Sequence, residues 1–286
     1  MEELKQLKKA YALSIEKNMA EATASIAYSK FGSYTSGSVG SDTNFLSISS
    51  EQASLVLSVL NNDYTVNSIV TLADTDKAEV SPAIIKYIID HTTRTHIPIG
   101  YKIINKKGKT LFETDNVAKL APFYNPLPIT LAKIKNSKVE KNTANIKIKN
   151  PLELKVFAIK GIERNFPLYN SASGYGTAVF TKSGKVHFAG QYSKLGKSLG
   201  LHSEINAIIS AISQNDWDIE SIGVVSTKYP DTPCDMCGIC RQLIGEISIK
   251  LNISPKLYCF AKDTDEYAEH TIDEYLPSAW TSKKWL

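Results

Sequence analysis

The sequence predicts an α/β protein built from two tandem copies of one fold. Each half alternates helical runs with runs of β-branched residues, such as residues 68–72 (SIVTL) and 221–226 (SIGVVS), and this alternation is typical of α/β domains. The length of 286 residues suits two domains of ordinary size. The chain is 43% hydrophobic and 22% charged, which provides enough apolar material for two cores.

The same order of motifs occurs in both halves. In the first half, residues 49–53 (SSEQA) open an apolar helical run, a strand follows, and residues 81–83 (SPA) come next. In the second half, residues 202–207 (HSEINA) open a helix, a strand follows, and residues 233–237 (PCDMC) come next, at nearly the same spacing. An internal duplication explains this order.

The boundary between the copies is predicted in a lysine-rich and asparagine-rich segment, residues 133–150 (KIKNSKVEKNTANIKIKN), which is followed by Pro151. Its middle has little to bury, so we interpret it as a solvated linker. The first domain would then be residues 1–132, and the second would be residues 151–286.

Composition excludes several classes of protein. Residues 1–10 (MEELKQLKKA) lack the apolar core of a signal peptide, and no stretch of about 18 apolar residues occurs. We therefore expect a cytoplasmic protein with no membrane association. The net charge is +4, and the lysines are spread along the chain, so nucleic acid is not an expected partner.

Three of the four cysteines lie close together. Cys234, Cys237 and Cys240 fall within seven residues, and such crowding in a cytosolic chain indicates a metal site more than disulfide bonds. The fourth, Cys259, lies in the apolar run of residues 257–261 (LYCFA), where we expect a buried structural thiol.

A histidine and a Cys-x-x-Cys pair supply the three protein ligands that a catalytic zinc ion takes, with the fourth position kept for water. A pair of this kind at a helix start places two sulfurs one turn apart, and the helix dipole favours the thiolate form. Glu204 lies two residues beyond His202, so it can face the same cavity without being a ligand. There it would carry the proton of a water molecule acidified by zinc.

Two motifs in the second half resemble those of the cytidine deaminase family. Residues 202–207 (HSEINA) resemble the family's His-Ala-Glu-x-x-Ala, and residues 237–242 (CGICRQ), with Glu246 following, resemble its Cys-Gly-x-Cys-Arg-Gln…Glu. The first half is similar in residues 28–31 (YSKF). The resemblance implies a three-layer α/β/α fold in each copy, an inactive first copy, one Zn²⁺ ion per chain, and a homodimer.

Two registers select different cysteines as ligands. The Pro-Cys-x-x-Cys pattern of zinc deaminases selects Cys234 and Cys237, whereas the Cys-Gly-x-Cys-Arg-Gln resemblance selects Cys237 and Cys240. We predict His202, Cys237 and Cys240 as the ligands, with Cys234 as the alternative to Cys240. Arg241 would then be placed to hydrogen-bond a ligand thiolate.

In the first half, the residues at the corresponding spacing are Ser49, Ala83 and Lys86. None of them can replace the soft and basic donors that zinc prefers. That copy is therefore expected to hold no metal, and Glu51 is expected to be a helix-start charge.

The sequence departs from the family where the substrate would bind. The family's Asn-x-Glu, which holds the ribose hydroxyls, is replaced by Gln191-Tyr192-Ser193. Gln191 is expected to hydrogen-bond the substrate, whereas Ser193 lacks the charge and reach of glutamate. Because the family's sites are composite, Phe31 and Trp280 are predicted to help close the pocket across a domain or dimer interface; the alternative is that both are ordinary packing aromatics.

The predicted function is hydrolytic deamination of cytidine or deoxycytidine to the uracil nucleoside with release of ammonia, as in pyrimidine salvage. Water would attack the carbon that bears the amine, and Glu204 would shuttle protons. Three alternatives remain open: another aminopyrimidine or aminopurine substrate, a nucleic-acid substrate, and a non-catalytic zinc-binding module. In the last case the ligands would form a closed structural zinc site.

Overall fold

The structure is a computed structural model, in which Trp280 lies outside the described part of the chain. The described residues are 2–15, 23–43, 46–78, 80–124, 134, 138–169, 173–194 and 200–277.

The first half forms one mixed sheet with helices between its strands. Its helices are α1 (Glu2–Ala12), α2 (Ser50–Leu60), α3 (Pro82–Thr95) and a short 3₁₀ helix (Val117–Leu120). Its strands are β1 (Ala24–Ser29), β2 (Ser33–Gly37), β3 (Val66–Leu72), β4 (Gly100–Ile104) and β5 (Thr110–Thr114). The strand order is β2-β1-β3-β4-β5, and the β3–β4 pair is parallel.

The second half repeats this plan. Its helices are α4 (Pro151–Ile162), α5 (Ser203–Ser213), α6 (Gly238–Leu251) and α7 (Ile272–Tyr275). Its strands are β6 (Thr143–Asn145), β7 (Tyr175–Thr181), β8 (Lys185–Gly190), β9 (Ile219–Ser226), β10 (Lys256–Phe260) and β11 (Tyr267–His270). The strand order is β11-β10-β9-β7-β8-β6, with a parallel β9–β10 pair. Without β6, this order matches that of the first sheet.

The two halves also share smaller features. In the first half, Val39 forms a parallel bridge with Ile15, which follows α1, and an antiparallel bridge with Ile48, which precedes α2. In the second half, Tyr192 forms the same two bridges with Phe166, which follows α4, and with Leu201, which precedes α5. The α/β class is therefore confirmed, and the two sheets fit two tandem copies of one fold.

Both faces of each sheet are covered by helices. In the second half, α4 packs with one set of strand side chains, including Ala178 and Phe188, while α5 and α6 pack with the alternate set, including Val179 and Ala189. This follows from the alternation of side chains along a strand. The first half has the same arrangement, with α1 outside and α2 and α3 inside. Each half is thus a three-layer α/β/α unit.

The halves meet through their inner helices. Helix α2 is buried along its whole length, α5 is buried from Ser203 to Ile212, and the two helices contact each other. One hydrophobic cluster includes apolar residues of both. The helix that begins at residue 203 therefore lies in the centre of the molecule. None of the described helices is long and apolar enough to cross a membrane.

The segment predicted as a linker is partly structured. Within residues 133–150, Thr143–Asn145 forms β6, which pairs antiparallel with β8. Asn142 is buried, and its side chain donates to the Phe188 carbonyl at 3.0 Å and to Ser210 Oγ at 2.9 Å. The expectation of a wholly solvated linker is therefore wrong at these residues, because they complete an edge of the second sheet.

Candidate metal and catalytic site

The three predicted ligands meet where helices α5 and α6 begin. His202 Nδ1 lies 3.3 Å from Cys237 Sγ and 3.3 Å from Cys240 Sγ, and the two sulfurs are 3.6 Å apart. Within the described ranges, this is the single group of histidine, cysteine and acidic side chains that is close enough to share a metal ion.

The local backbone explains this convergence. His202 is the N-cap of α5 and Cys237 is the N-cap of α6, each with an extended backbone and without a side-chain capping bond. A serine, threonine, asparagine or aspartate normally caps a helix here, and its loss costs about 1 kcal/mol. Cys240 follows Cys237 by almost one turn, so both sulfurs lie on one face. Two helix caps are thus replaced by side chains of the types that bind metal ions in proteins.

The fit to zinc can be tested by distance. In a tetrahedral site with Zn–S bonds of about 2.3 Å and a Zn–N bond of about 2.0 Å, the sulfurs lie about 3.8 Å apart and each lies about 3.5 Å from the nitrogen. The distances between His202 Nδ1 and the two sulfurs fall within about 0.3 Å of these values. One imidazole and two thiolates are also donors that suit zinc.

The two sulfurs differ in proton affinity. Hydrogen bonds with Cys240 and His202 lower the pKa of Cys237 to about 3, against the opposing effect of burial. The hydrogen bond with Cys237, together with burial, raises the pKa of Cys240 well above its usual range. A cation bound between the two sulfurs would favour the thiolate form of both.

Cys234 points elsewhere. It is buried, and its Sγ donates to the Val224 carbonyl at 3.3 Å. The structure therefore groups Cys240, and not Cys234, with His202 and Cys237. Cys259 is buried, and its Sγ lies 3.4 Å from Tyr275 Oη.

Arg241 does not make the expected bond to a ligand sulfur. Its Nη1 donates to the Tyr275 carbonyl at 3.0 Å, and its guanidinium lies 4.5 Å from the centre of the Tyr275 ring. Because Tyr275 ends α7, the arginine ties the start of α6 to α7 instead. The expectation of a bond to a ligand sulfur was therefore wrong, because the guanidinium donates to this backbone carbonyl instead.

Glu204 lines the same cavity as two of the predicted ligands, His202 and Cys237. Its side chain is only 4% exposed, and Oε2 accepts a hydrogen bond from Ser203 Oγ at 3.1 Å. Ser203 Oγ also lies 2.8 Å from Thr177 Oγ1 on β7, so the pair is anchored to the sheet. The cavity measures about 140 Å³ and is lined by Tyr175, Gln191, His202, Ser203, Glu204, Asp235 and Cys237.

This cavity contains two residues that sequence reasoning missed. Tyr175 begins β7, and Asp235 is an exposed residue two positions before Cys237. With Glu204, Asp235 gives the cavity two carboxyl groups, and no lysine or arginine is among the described residues that line it. The position of Asp235 beside the cysteine motif was the signal that could have identified it.

Of the predicted substrate-binding residues, Gln191 lines the cavity and Phe31 does not. Phe31 is 59% exposed in the turn between β1 and β2. Ser25 on β1 contacts Ser50 of α2 as Thr177 contacts Ser203, so Phe31 lies at the far end of its strand from the helix start. A role for Phe31 across an interface between chains stays a prediction, and Trp280 is not among the residues that can be placed.

The first half has a different site at the matching position. Glu51 is 6% exposed, and its Oε1 accepts hydrogen bonds from Tyr101 Oη at 2.7 Å and Thr71 Oγ1 at 2.9 Å. By strand register, Thr71 and Tyr101 take the places of Val224 and Leu257. Glu51 lies in the first turn of α2, as expected of a helix-start charge, and hydroxyl groups supplied by the sheet hold its carboxyl group inside.

The structure also corrects the positions that correspond to the ligands. Ser49 is the N-cap of α2, as His202 is of α5, but the N-cap of α3 is Ser81. Ser81 and Ile84, rather than Ala83 and Lys86, therefore match Cys237 and Cys240. Counting residues failed because the connection from strand to helix is shorter in the first half. The matching set contains no histidine or cysteine.

No model of a known protein family matches the chain. Solved structures similar to it include the cytidine deaminase of Burkholderia pseudomallei, with 22% identity, a TM-score of 0.41, and coverage of 46% of this chain and 99% of that chain. The cytidine deaminase of Mycobacterium tuberculosis has 16% identity, a TM-score of 0.37, and coverage of 47% and 99%. That of Mycobacterium leprae has 18% identity, a TM-score of 0.36, and coverage of 45% and 98%.

Proposed function

We propose that this chain is a zinc-dependent hydrolytic deaminase, with cytidine or deoxycytidine as its substrate. The observation that supports this most directly is the buried carboxyl group of Glu204 in one small cavity with His202 and Cys237, next to Cys240. A closed structural zinc site needs neither a cavity nor a buried carboxyl group beside it.

His202, Cys237 and Cys240 would hold the metal ion. When bound, zinc supplies a Lewis acid with one coordination position left for the reactants. With two thiolates and a neutral imidazole, the net charge of the loaded centre is close to zero. Charge in the cavity then comes from the surrounding side chains.

Glu204 would carry the protons of the reaction. Water adds its oxygen to the ring carbon that bears the amino group, and Glu204 takes a proton from that water and gives it to the ring nitrogen. The remaining proton of the water passes to the amino nitrogen, the C–N bond breaks, and ammonia leaves a carbonyl group behind. Ser203 orients the carboxyl group by donating to Oε2. The overall reaction consumes one water and releases one ammonia.

The charge of the cavity favours a substrate without phosphate. Glu204 and Asp235 are both acidic, and no lysine or arginine among the described lining residues offsets them. A phosphate charge about 5 Å from one carboxylate charge would be repelled by about 3 kcal/mol at an effective dielectric constant of about 20. A nucleoside is therefore a better candidate than its phosphate ester, and Gln191 is available to hydrogen-bond a sugar hydroxyl group.

The ratio of kcat/KM for cytidine to that for cytidine monophosphate is expected to exceed about 10. Each 1.4 kcal/mol or so by which the cavity repels the phosphate lowers kcat/KM about tenfold, and the repulsion given above is larger than this. Asp235→Asn should lower this ratio by removing one of the two charges. Asp231→Asn is the matched control, because Asp231 is exposed in the same loop but does not line the cavity. A preference for the phosphate ester, or an equal effect of both variants, would contradict the charge argument.

The function is tested by measuring bound zinc and ultraviolet absorbance on one preparation, with cytidine, deoxycytidine and other aminopyrimidines and aminopurines. Near one zinc per chain, together with turnover of a nucleoside, would support the proposal. Turnover only of another aminated ring would keep the reaction and change the substrate. Zinc without any turnover would favour a non-catalytic module, and absence of zinc would overturn the ligand assignment.

A further inference from the structure

Helix α3 of the first half contacts the loop of the second half that precedes His202. Arg94, in the last turn of α3, donates from Nη1 to the Ser193 carbonyl at 2.8 Å and from Nη2 to the Pro167 carbonyl at 2.5 Å. Its guanidinium carbon lies 3.3 Å from the centre of the Phe166 ring. Arg94 is only 6% exposed. A buried guanidinium needs such partners to offset its desolvation.

Tyr192 extends from this loop into the first half. Its hydroxyl group lies 2.8 Å from His91 Nδ1, and its ring stacks on Tyr87 with the centres 5.4 Å apart. The side chain is 3% exposed. One turn before Arg94, Asp90 faces Lys194 at 3.7 Å. The residues from 192 to 194 are therefore each held by α3.

The loop transmits these contacts to the candidate site. The Tyr192 backbone N–H donates to the Leu201 carbonyl at 2.8 Å, and the Leu201 N–H donates back at 2.9 Å. Leu201 directly precedes His202, and Gln191, which lines the cavity, directly precedes Tyr192. A shift of Tyr192 would therefore move a predicted metal ligand and a predicted substrate contact together.

The second half makes the reciprocal contact. Lys250, in the last turn of α6, donates to the Gly40 carbonyl at 3.0 Å. Glu246, one turn earlier, accepts a hydrogen bond at Oε2 from the backbone N–H of Asp42 at 2.8 Å. The contacted loop leads to Ser49, where the first half has no metal donor.

The two contacts occupy equivalent positions. Counted from the N-caps of their helices, Asp90 and Arg94 of α3 correspond to Glu246 and Lys250 of α6. Each helix thus places an acidic and a basic side chain on the opposite half. The two contacts also differ in what the contacted loop leads to, which is His202 in the second half and Ser49 in the first.

We infer that Arg94 is a positioning residue for the second-half site, so that the first half, which lacks the metal donors, is needed to hold Gln191 and His202 in place. The effects on catalysis and on zinc release rest on the proposed function. The structural effect does not, because it concerns the order of the loop itself.

The test is hydrogen–deuterium exchange of the full chain, with and without added zinc. Arg94→Ala should accelerate exchange of the Tyr192, Ser193 and Leu201 amides by about tenfold or more, because their hydrogen bonds open more often. Zinc should pass to a chelator about tenfold faster, within the range seen when groups that orient a metal ligand are removed. Arg94→Lys, which keeps the charge but not the two-donor geometry, should lie between wild type and Arg94→Ala.

Lys250→Ala is the matched control. It should accelerate exchange around residues 39–48 and leave residues 191–202 and zinc release unchanged. If Arg94→Ala does not fold, Tyr192→Phe, which removes only the hydroxyl group bound to His91, should still accelerate exchange of the same amides. Unchanged exchange in these variants, or equal acceleration of both loops in each, would overturn the inference. Accelerated exchange in a chain that shows no deamination would support it and contradict the proposed function.

Discussion

Glutamine in place of Glu204 is expected to reduce kcat for deamination by about 10⁴-fold while zinc remains bound. The amide has the same shape as the carboxyl group and can still accept the hydrogen bond from Ser203. It cannot take a proton from water or deliver one to the ring. Absorbance assays at saturating substrate, with metal content measured on the same sample, separate loss of proton transfer from loss of metal.

Glu51→Gln is the control for this variant. Glu51 follows its helix N-cap as Glu204 does and is also buried, but it contacts Thr71 and Tyr101, and no histidine or cysteine occupies the positions that match the predicted ligands. Its replacement should leave kcat unchanged and lower the free energy of unfolding by about 1 kcal/mol through weaker hydrogen bonds. Equal loss of activity in both variants would mean that the first effect comes from folding and not from chemistry.

Short-range patterns in the sequence predicted much of the site. His202, Glu204, Cys237 and Cys240 lie in two short motifs, each at a helix start, and the helix geometry fixes how each motif presents its side chains. The α/β class was also predictable, because alternating helical and β-branched runs leave few other arrangements. In these cases the information lies within a few residues.

What the sequence did not predict depends on contacts between distant segments. Arg94 and Ser193 are 99 positions apart, and nothing near either residue indicates the other. Thr71 and Tyr101 enclose Glu51 because neighbouring strands place them there, which requires the strand register. The short strand β6 was missed because lysine and asparagine dominate its segment, although its edge position needs few apolar residues.

The presence of a buried glutamate, Glu51, in the first half has a physical explanation that does not involve catalysis. In the second half, Val224 and Leu257 make the nearby sheet surface apolar, and Glu204 lines one cavity with predicted metal ligands. In the first half, two hydroxyl groups supply the hydrogen bonds that a buried carboxyl group requires. The same glutamate therefore stabilises the sheet–helix contact in one half and would transfer protons in the other.

Cys240→Ala is expected to weaken zinc binding by on the order of 10³-fold or more, because it removes one of three protein ligands. Cys234→Ala is the matched control. Both cysteines are buried, so both variants remove the same atoms from the interior, but Cys234 Sγ donates to the Val224 carbonyl and lies outside the ligand cluster. It should retain zinc and lose about 1 kcal/mol of stability with that hydrogen bond.

The two cysteine variants decide between the two registers of the motif. Competition with a chromophoric chelator gives the zinc affinity of each, and thermal unfolding of the metal-free proteins shows whether their stabilities match. Loss of zinc only in Cys240→Ala would support the Cys-Gly-x-Cys register, in which the sulfur one turn into α6 completes the site. Loss only in Cys234→Ala would require the loop before α6 to turn Cys234 away from Val224, and the cavity that contains Glu204 would then have a different wall.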